Sequence, residues 1–312
     1  MRFRYNLYII FLIIYPSFIF GNSDIKVLVS IKPFHSLVSA VMEGVSEPKL
    51  ILEGGESPHS YSLPPSSAEY MQDADIIFWG GRYLETFLAK SIDIYSKKKK
   101  IVSFIDLDEI MLLKVPNYSK VRKIELFSRS EKPNKNIESY FGLDPHIWLD
   151  PKNAKIILRE ISMILGKIDP RNAITYRKNR EKYEITIDEL DNELSKKMIS
   201  VSSIPFLVFH NAFQYFEHRY GLKIIGSFTF NSSFGMSARR MKEIQKIISE
   251  KNISCIFMEQ NMSKKLMNIA VEGTETRIGI LDPLGVKINK GPDLYAKLLK
   301  NLSNSLIKCL KG

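Results

Sequence analysis

Cysteine is nearly absent: Cys255 and Cys309 are the only two among 312 residues. Neither stands near residue 21, so a lipid anchor of the bacterial lipoprotein type has no attachment point. Histidine is scarce as well, with five copies, so a site made of imidazoles must collect them from distant parts of the chain. No H-E-x-x-H pairing occurs, which removes a common helical signature of zinc hydrolases. Low-complexity tracts and alignable repeats are missing, which argues against a solenoid or propeller. Acidic residues are outnumbered, 34 against 45 Lys and Arg, for a formal net charge of +11 to which Arg2 and Arg4 contribute two. Apart from Lys97 to Lys100, a solvated loop, the basic residues are spread out. No nucleic-acid partner is expected, while a basic surface suits the neighbourhood of an anionic bilayer.

What is present first concerns the compartment. Met1-Arg2-Phe3-Arg4 is basic, Leu7 to Phe20 is apolar but short for a membrane span, and Gly21-Asn22-Ser23 is built of small residues. This is the pattern of a cleavable export signal over residues 1–23; an uncleaved anchor is the alternative. A soluble periplasmic protein beginning near Asp24 is expected. In an oxidising compartment Cys255 and Cys309 favour a disulfide between the last helix and a strand; two buried thiols are the alternative.

Roughly 290 residues after the signal suit two ordinary domains. Short β-rich runs alternate with helical spacing. Strands are expected at 25–31, 49–52, 75–79 and 101–105, and again at 205–210, 222–228, 253–258 and 277–281, with helices between them. This alternation predicts an α/β protein of two lobes, each a mostly parallel sheet flanked by helices. Helical spacing over Pro151 to Lys167 precedes a second helix opening at Asp169-Pro170. That helix carries Tyr176, Tyr183, Ile187, Leu190, Leu194 and Met198 on one face. At about 1.5 Å per residue it makes a rod of roughly 45 Å, long enough to join two lobes. The expected division is 24–168, a connecting helix at 169–202, and 203–312. Lys114 to Tyr140 reads as a long loop.

In open parallel sheets, ligands bind beyond the carboxyl ends of the strands. His59 follows the second strand, on a loop stiffened by Pro58, Pro64 and Pro65. His146 lies in Asp144-Pro145-His146-Ile147-Trp148-Leu149-Asp150-Pro151. His210 closes one strand of the second half and Asp282 another. Taken singly, each has a bland reading: His146 or Asp282 as a cap, His210 as a satisfied strand-end residue. Together, three imidazoles and a carboxylate suit a tetrahedral borderline cation, zinc first. His218 reads as part of a solvated helix face, and His35 as a surface residue, with a place in the same cleft as these groups as the alternative. Because imidazole must be neutral to bind, affinity is expected to fall more than tenfold between neutrality and mild acid, near the ordinary pKa of about 6.5.

These motifs, with Ser30-Ile31-Lys32-Pro33, Ser57-Pro58-His59-Ser60-Tyr61, Phe209-His210-Asn211-Ala212-Phe213 and Leu281-Asp282-Pro283-Leu284-Gly285, carry a resemblance. Over nearly the whole chain after residue 23, the sequence resembles the zinc-specific periplasmic solute-binding proteins of bacterial ABC importers. The resemblance implies a monomeric, non-enzymatic carrier that captures zinc as its transported ligand and delivers it to an inner-membrane ABC permease. It makes His59, His146 and His210 the metal ligands, places Asp282 at the site, and implies the Cys255–Cys309 disulfide. Histidine at position 210, where manganese members carry glutamate, favours zinc over manganese or iron. Three departures stand out. Lys114 to Tyr140 contains no histidine, Pro58 replaces a glutamate found before the first ligand, and Asn211 replaces an aspartate after the third. A zinc-dependent hydrolase is the rival from another class, since three ligands and a water also describe catalytic zinc. An adhesin on the same scaffold is a third reading.

Overall fold

The computed structural model describes residues 24–115, 142–229, 238–260, 262 and 264–312. The expected export signal and nearly all of the long loop from Lys114 to Tyr140 lie outside them. The first lobe runs β1 (Val27–Val29), α1 (Lys32–Met42), β2 (Lys49–Leu50), α2 (Pro65–Asp73), β3 (Ile76–Trp79), α3 (Ala89–Tyr95) and β4 (Lys100–Ser103). Two long helices follow, α4 (Pro151–Ile168) and α5 (Ala173–Met198). The second lobe runs β5 (Pro205–His210), α6 (Gln214–Tyr220), β6 (Lys223–Thr229), α7 (Ala238–Lys251), β7 (Cys255–Met258), α8 (Lys264–Val271), β8 (Arg277–Ile280) and α9 (Leu294–Lys311). All eight expected strands are present: β5 keeps its expected bounds, β4 and β6 are shifted by a residue or two, and the others are shorter than expected.

Both sheets are parallel, ordered β2-β1-β3-β4 and β6-β5-β7-β8. In each, the chain leaves the founding strand to one side and later returns on the other. The crevices between β1 and β3 and between β5 and β7 are therefore topological switch points, where ligands gather.

Side-chain alternation along the strands explains how the lobes join. Val27 and Val29 of β1, and Phe206 and Val208 of β5, point into one continuous core that also holds Phe34, Trp148, Leu190, Leu194 and Tyr295. Their neighbours face outward into two separate layers, Leu28 with Met71 and Ile77, and Leu207 with Ile244 and Ile256. The inner faces of both sheets thus share one core, with α1, α4, α5 and α9 inside it.

α4 opens on Asp150, whose side chain accepts from the Lys152 N–H at 2.7 Å, with Pro151 in the first turn. The expected opening of α5 at Asp169-Pro170 differs: a single tight turn, Pro170–Asn172, precedes the helix. Asp169 accepts from the side chains of Asn172 and Tyr176 at 2.7 and 2.8 Å rather than capping backbone N–H groups. The helix has 26 residues, roughly 39 Å. It links the lobes as expected. Cys255 of β7 and Cys309 of α9 are joined by a disulfide.

Candidate metal centre

β5, covered on both faces, ends at the second switch point and delivers His210 there. β7 ends beside it, and the next residue, Glu259, accepts a hydrogen bond from His210 Nδ1 at 2.7 Å. That bond leaves Nε2 as the free lone pair of the imidazole. His210 Nε2 is buried and has no hydrogen-bond partner among the described residues.

His146 arrives just before the short 3-10 turn Ile147–Leu149. Its Nδ1 donates to Asp144 Oδ1 at 2.6 Å, and the same oxygen accepts its backbone N–H at 2.9 Å. Burial pushes the Asp144 carboxyl up to about 7, opposed by that N–H. The segment is fastened to the second lobe at three points. Tyr215 O–H donates to Asp144 O, Trp148 Nε1 donates to Pro283 O, and Tyr295 O–H donates to Trp148 O, each at 2.8 Å.

His59 comes down from the loop after β2 and is half-buried, whereas His146 and His210 are buried. Its Nε2 lies 3.3 Å from His146 Nε2. Two nitrogens bound to one tetrahedral zinc at about 2.05 Å stand roughly 3.3 Å apart, so this pair already has ligand spacing. One ligand atom from each of the three histidines lies within 4.8 Å of the others. Burial, then the neighbouring imidazoles, holds the His59 pKa well below its ordinary 6.5. Burial, then His210, does the same for His146. Neutral imidazoles are ready ligands, and proton competition moves to lower pH than the ordinary value would set.

Asp282 is placed differently from the three histidines. It stands outside their cluster, and its carboxylate accepts the N–H groups of Leu284, Gly285 and Val286 at 3.1, 2.9 and 2.7 Å. It therefore caps its own turn. It also lines a small pocket of ≈ 120 Å³, with Ser57, Ser60, Glu259 and Gln260 beside Met262 and Leu284. Burial, with Glu259 adding a smaller push, raises its pKa.

His35 is not a surface residue. It is 3% exposed within α1, its Nε2 2.9 Å from Pro48 O, tying the helix to the chain entering β2. His218 is exposed on α6. Two partners of the ligands, Asp144 and Glu259, were not singled out from the sequence. Glu259 follows the strand Ile253 to Met258 directly, so the strand-end rule that found His210 points to it equally.

A parallel α/β pair of lobes with three converging imidazoles, two of them held by carboxylates, defines a cation-binding protein of the two-lobed receptor type. The chain belongs to the ZnuA family: the pattern of zinc-uptake complex component A, periplasmic, matches residues 27–309. The high-affinity zinc uptake system protein ZnuA of Brucella abortus (strain 2308) is 39% identical over 304 residues, covering 91% of each chain. The protein of the same name from Yersinia pestis is 29% identical over 296 residues, 94% of this chain and 93% of that one. A crystal structure of ZnuA superposes with a TM-score of 0.77 at 20% identity, over 92% of this chain and 100% of that one. The periplasmic zinc-binding protein TroA of Treponema pallidum gives 0.75 at 19% identity, over 92% and 99%. At these identities the structural likeness is one of fold.

Proposed function

We propose that this chain captures zinc through His59, His146 and His210 and hands it to an ABC permease for uptake. The observation that carries the reading is the convergence of three imidazoles, two of which are fixed as neutral donors by Asp144 and Glu259. Family membership supports the same cargo and route. Zinc is favoured over manganese or iron because an all-imidazole set suits a borderline cation, and hard cations prefer more oxygen.

Asp282 is the fourth ligand in this reading. Its Oδ2 accepts one N–H, from Val286, and a carboxylate oxygen has a second lone pair to give. The ZnuA family is one of solute-binding proteins rather than enzymes. The carboxylates nearest the imidazoles bind Nδ1 atoms, which occupies the groups a hydrolase would use as a base. Residues 1–23 act as a cleaved export signal, and the protein works in the periplasm as a monomer.

Zinc titration of the purified protein against a chromophoric chelator tests the reading. His146→Ala and His210→Ala are expected to lose affinity at least a hundredfold, and X-ray absorption of the zinc-loaded wild type is expected to show a nitrogen-rich four-coordinate shell. Full affinity in both alanine variants would end it.

A further inference from the structure

The segment carrying His59 is held differently from those carrying the other two histidines. His210 ends a strand paired on both sides, and the His146 segment is fastened by Tyr215, Trp148 and Tyr295. Residues 53–64 join neither sheet ladder. Within this loop the His59 N–H reaches Ser57 Oγ at 3.3 Å and the Ser60 N–H reaches Ser57 O at 3.1 Å. These bonds shape the loop without fixing it to the lobe.

An aromatic contact does fix it. Tyr61, two residues past His59, packs edge-on against Phe87, ring centres 5.0 Å apart and planes at 80°. Both rings border the inner core and the outer layer of the first lobe. Phe87 sits in the 3-10 turn Thr86–Leu88 directly after Glu85. Glu85 is fully buried, and its Oε2 accepts the N–H groups of Gly80 and Gly81 at 2.8 and 3.1 Å. In the first lobe, then, the switch-point crevice beside β3 holds the protein's own carboxyl group, and the turn built on that anchor presents Phe87 to the metal loop.

We propose that Phe87 is a positioning residue for His59: acting through Tyr61, it holds the 53–64 loop over the other two imidazoles and sets how long a bound zinc ion stays. This rests on the zinc reading above. An exposed ion pair, Lys290 Nζ to Glu53 Oε1 at 2.7 Å, also ties the start of the loop, but it lies six residues from His59, whereas the Tyr61–Phe87 contact lies two residues away. Loosening that contact therefore changes the His59 ligand and leaves His146 and His210 in place.

The test is zinc release from the loaded full chain, mixed with excess chelator and followed by stopped flow. An edge-to-face pair of this kind corresponds to roughly tenfold in a rate or equilibrium. Phe87→Ala is expected to release zinc about tenfold faster, and Tyr61→Ala to do likewise. The double variant should be no faster than either single one, and Phe87→Tyr should restore wild-type release. A residue that only supports the fold would lower the unfolding midpoint of the chelated protein without this non-additivity or rescue. Wild-type release in folded Phe87→Ala, or effects that multiply in the double variant, overturns the proposal. If Phe87→Ala does not fold, Phe87→Leu is judged by the same criteria. A wild-type chain that binds no zinc ends the parent reading, whereas zinc-binding wild type with an unaltered Phe87→Ala variant ends this one alone.

Discussion

Glu259 and Asp144 do the same work on two different histidines: each accepts a hydrogen bond from Nδ1–H and so leaves Nε2 as the lone pair facing the shared centre. Loss of such a partner typically costs 10–100-fold in metal affinity. Glu259→Ala is expected to weaken zinc binding by about tenfold or more in a competition titration; unchanged affinity would show that His210 needs no orienting group. Glu85 supports a prediction of another kind. Burial pushes its carboxyl from 4.5 up to about 7, against the lowering pull of Ser30, Gly81 and Gly80, and no charged side chain figures among the causes. Below pH 4.5 the acid is neutral in both folded and unfolded chains and costs nothing. As pH rises from 4.5 to 7 the unfolded chain ionises while the native state resists, so stability is lost across that window and the loss stays constant above it. The full penalty is roughly 3 kcal/mol, from the shift at about 1.4 kcal/mol per unit. Glutamine resembles the neutral acid, so Glu85→Gln should unfold at a higher temperature than wild type at pH 8 and at a similar one at pH 4. A variant less stable than wild type at pH 8 would show that the ionised carboxylate is the form the Gly80 and Gly81 N–H groups require.

At the scale of elements, the strands were readable because buried parallel strands are short apolar runs, and Ile76–Trp79 or Cys255–Met258 can hardly be anything else. The long α5 was readable from the apolar spacing of Tyr176 to Met198, but its start was not. Whether Asp169 caps a backbone or binds Tyr176 depends on how that ring is buried, which no local pattern states. The site divides likewise. His59, His146 and His210 stand out by residue type, and Glu259 was open to the same strand-end rule, whereas Asp144 becomes visible only when distances are known. Asp282 shows why: a carboxylate after a strand serves a turn as readily as a cation, and here three N–H groups hold it. The junction of β7 with α9 depends on a pairing the sequence left open between disulfide and thiols. A Cβ on Gly279 would strike the Phe257 ring and stand 3.2 Å from Cys309 Cβ, so the last helix packs tightly on this sheet where the disulfide forms. Closing a loop of 54 residues is worth about 4 kcal/mol in the chain-entropy account. Cys255→Ala with Cys309→Ala should therefore lower the unfolding midpoint by several degrees in calorimetry, and reductant should do the same to wild type. No shift in either would mean the native packing supplies all of that constraint.

For the whole molecule, the shared inner core decides how a cation can be captured. Two lobes that part widely must have an interface able to open, yet here Phe34, Trp148, Tyr215 and Tyr295 lie in one uninterrupted core with the inner faces of both sheets. Polar ties cross the same boundary. Lys32 Nζ donates to Val286 O at 2.8 Å, Ser36 Oγ donates to Pro292 O at 2.8 Å, and Tyr183 O–H, from α5, donates to Pro292 O at 2.5 Å. Opening the lobes would expose large apolar rings and strand these donors, a cost that binding one ion has no reason to impose. Motion is then left to the ligand loops, the His59 loop foremost. For a compact chain of roughly 290 residues the radius of gyration is about 19 Å. Small-angle scattering should give the same value, within error, for the zinc-loaded and the chelated protein. Hydrogen exchange should differ between the two states mainly over residues 53–64, with α1, α4 and α5 protected in both. A measurable contraction on adding zinc, or exchange of α5 that depends on the metal, would mean that the two lobes do separate and that the core between them is not the rigid joint argued from its packing.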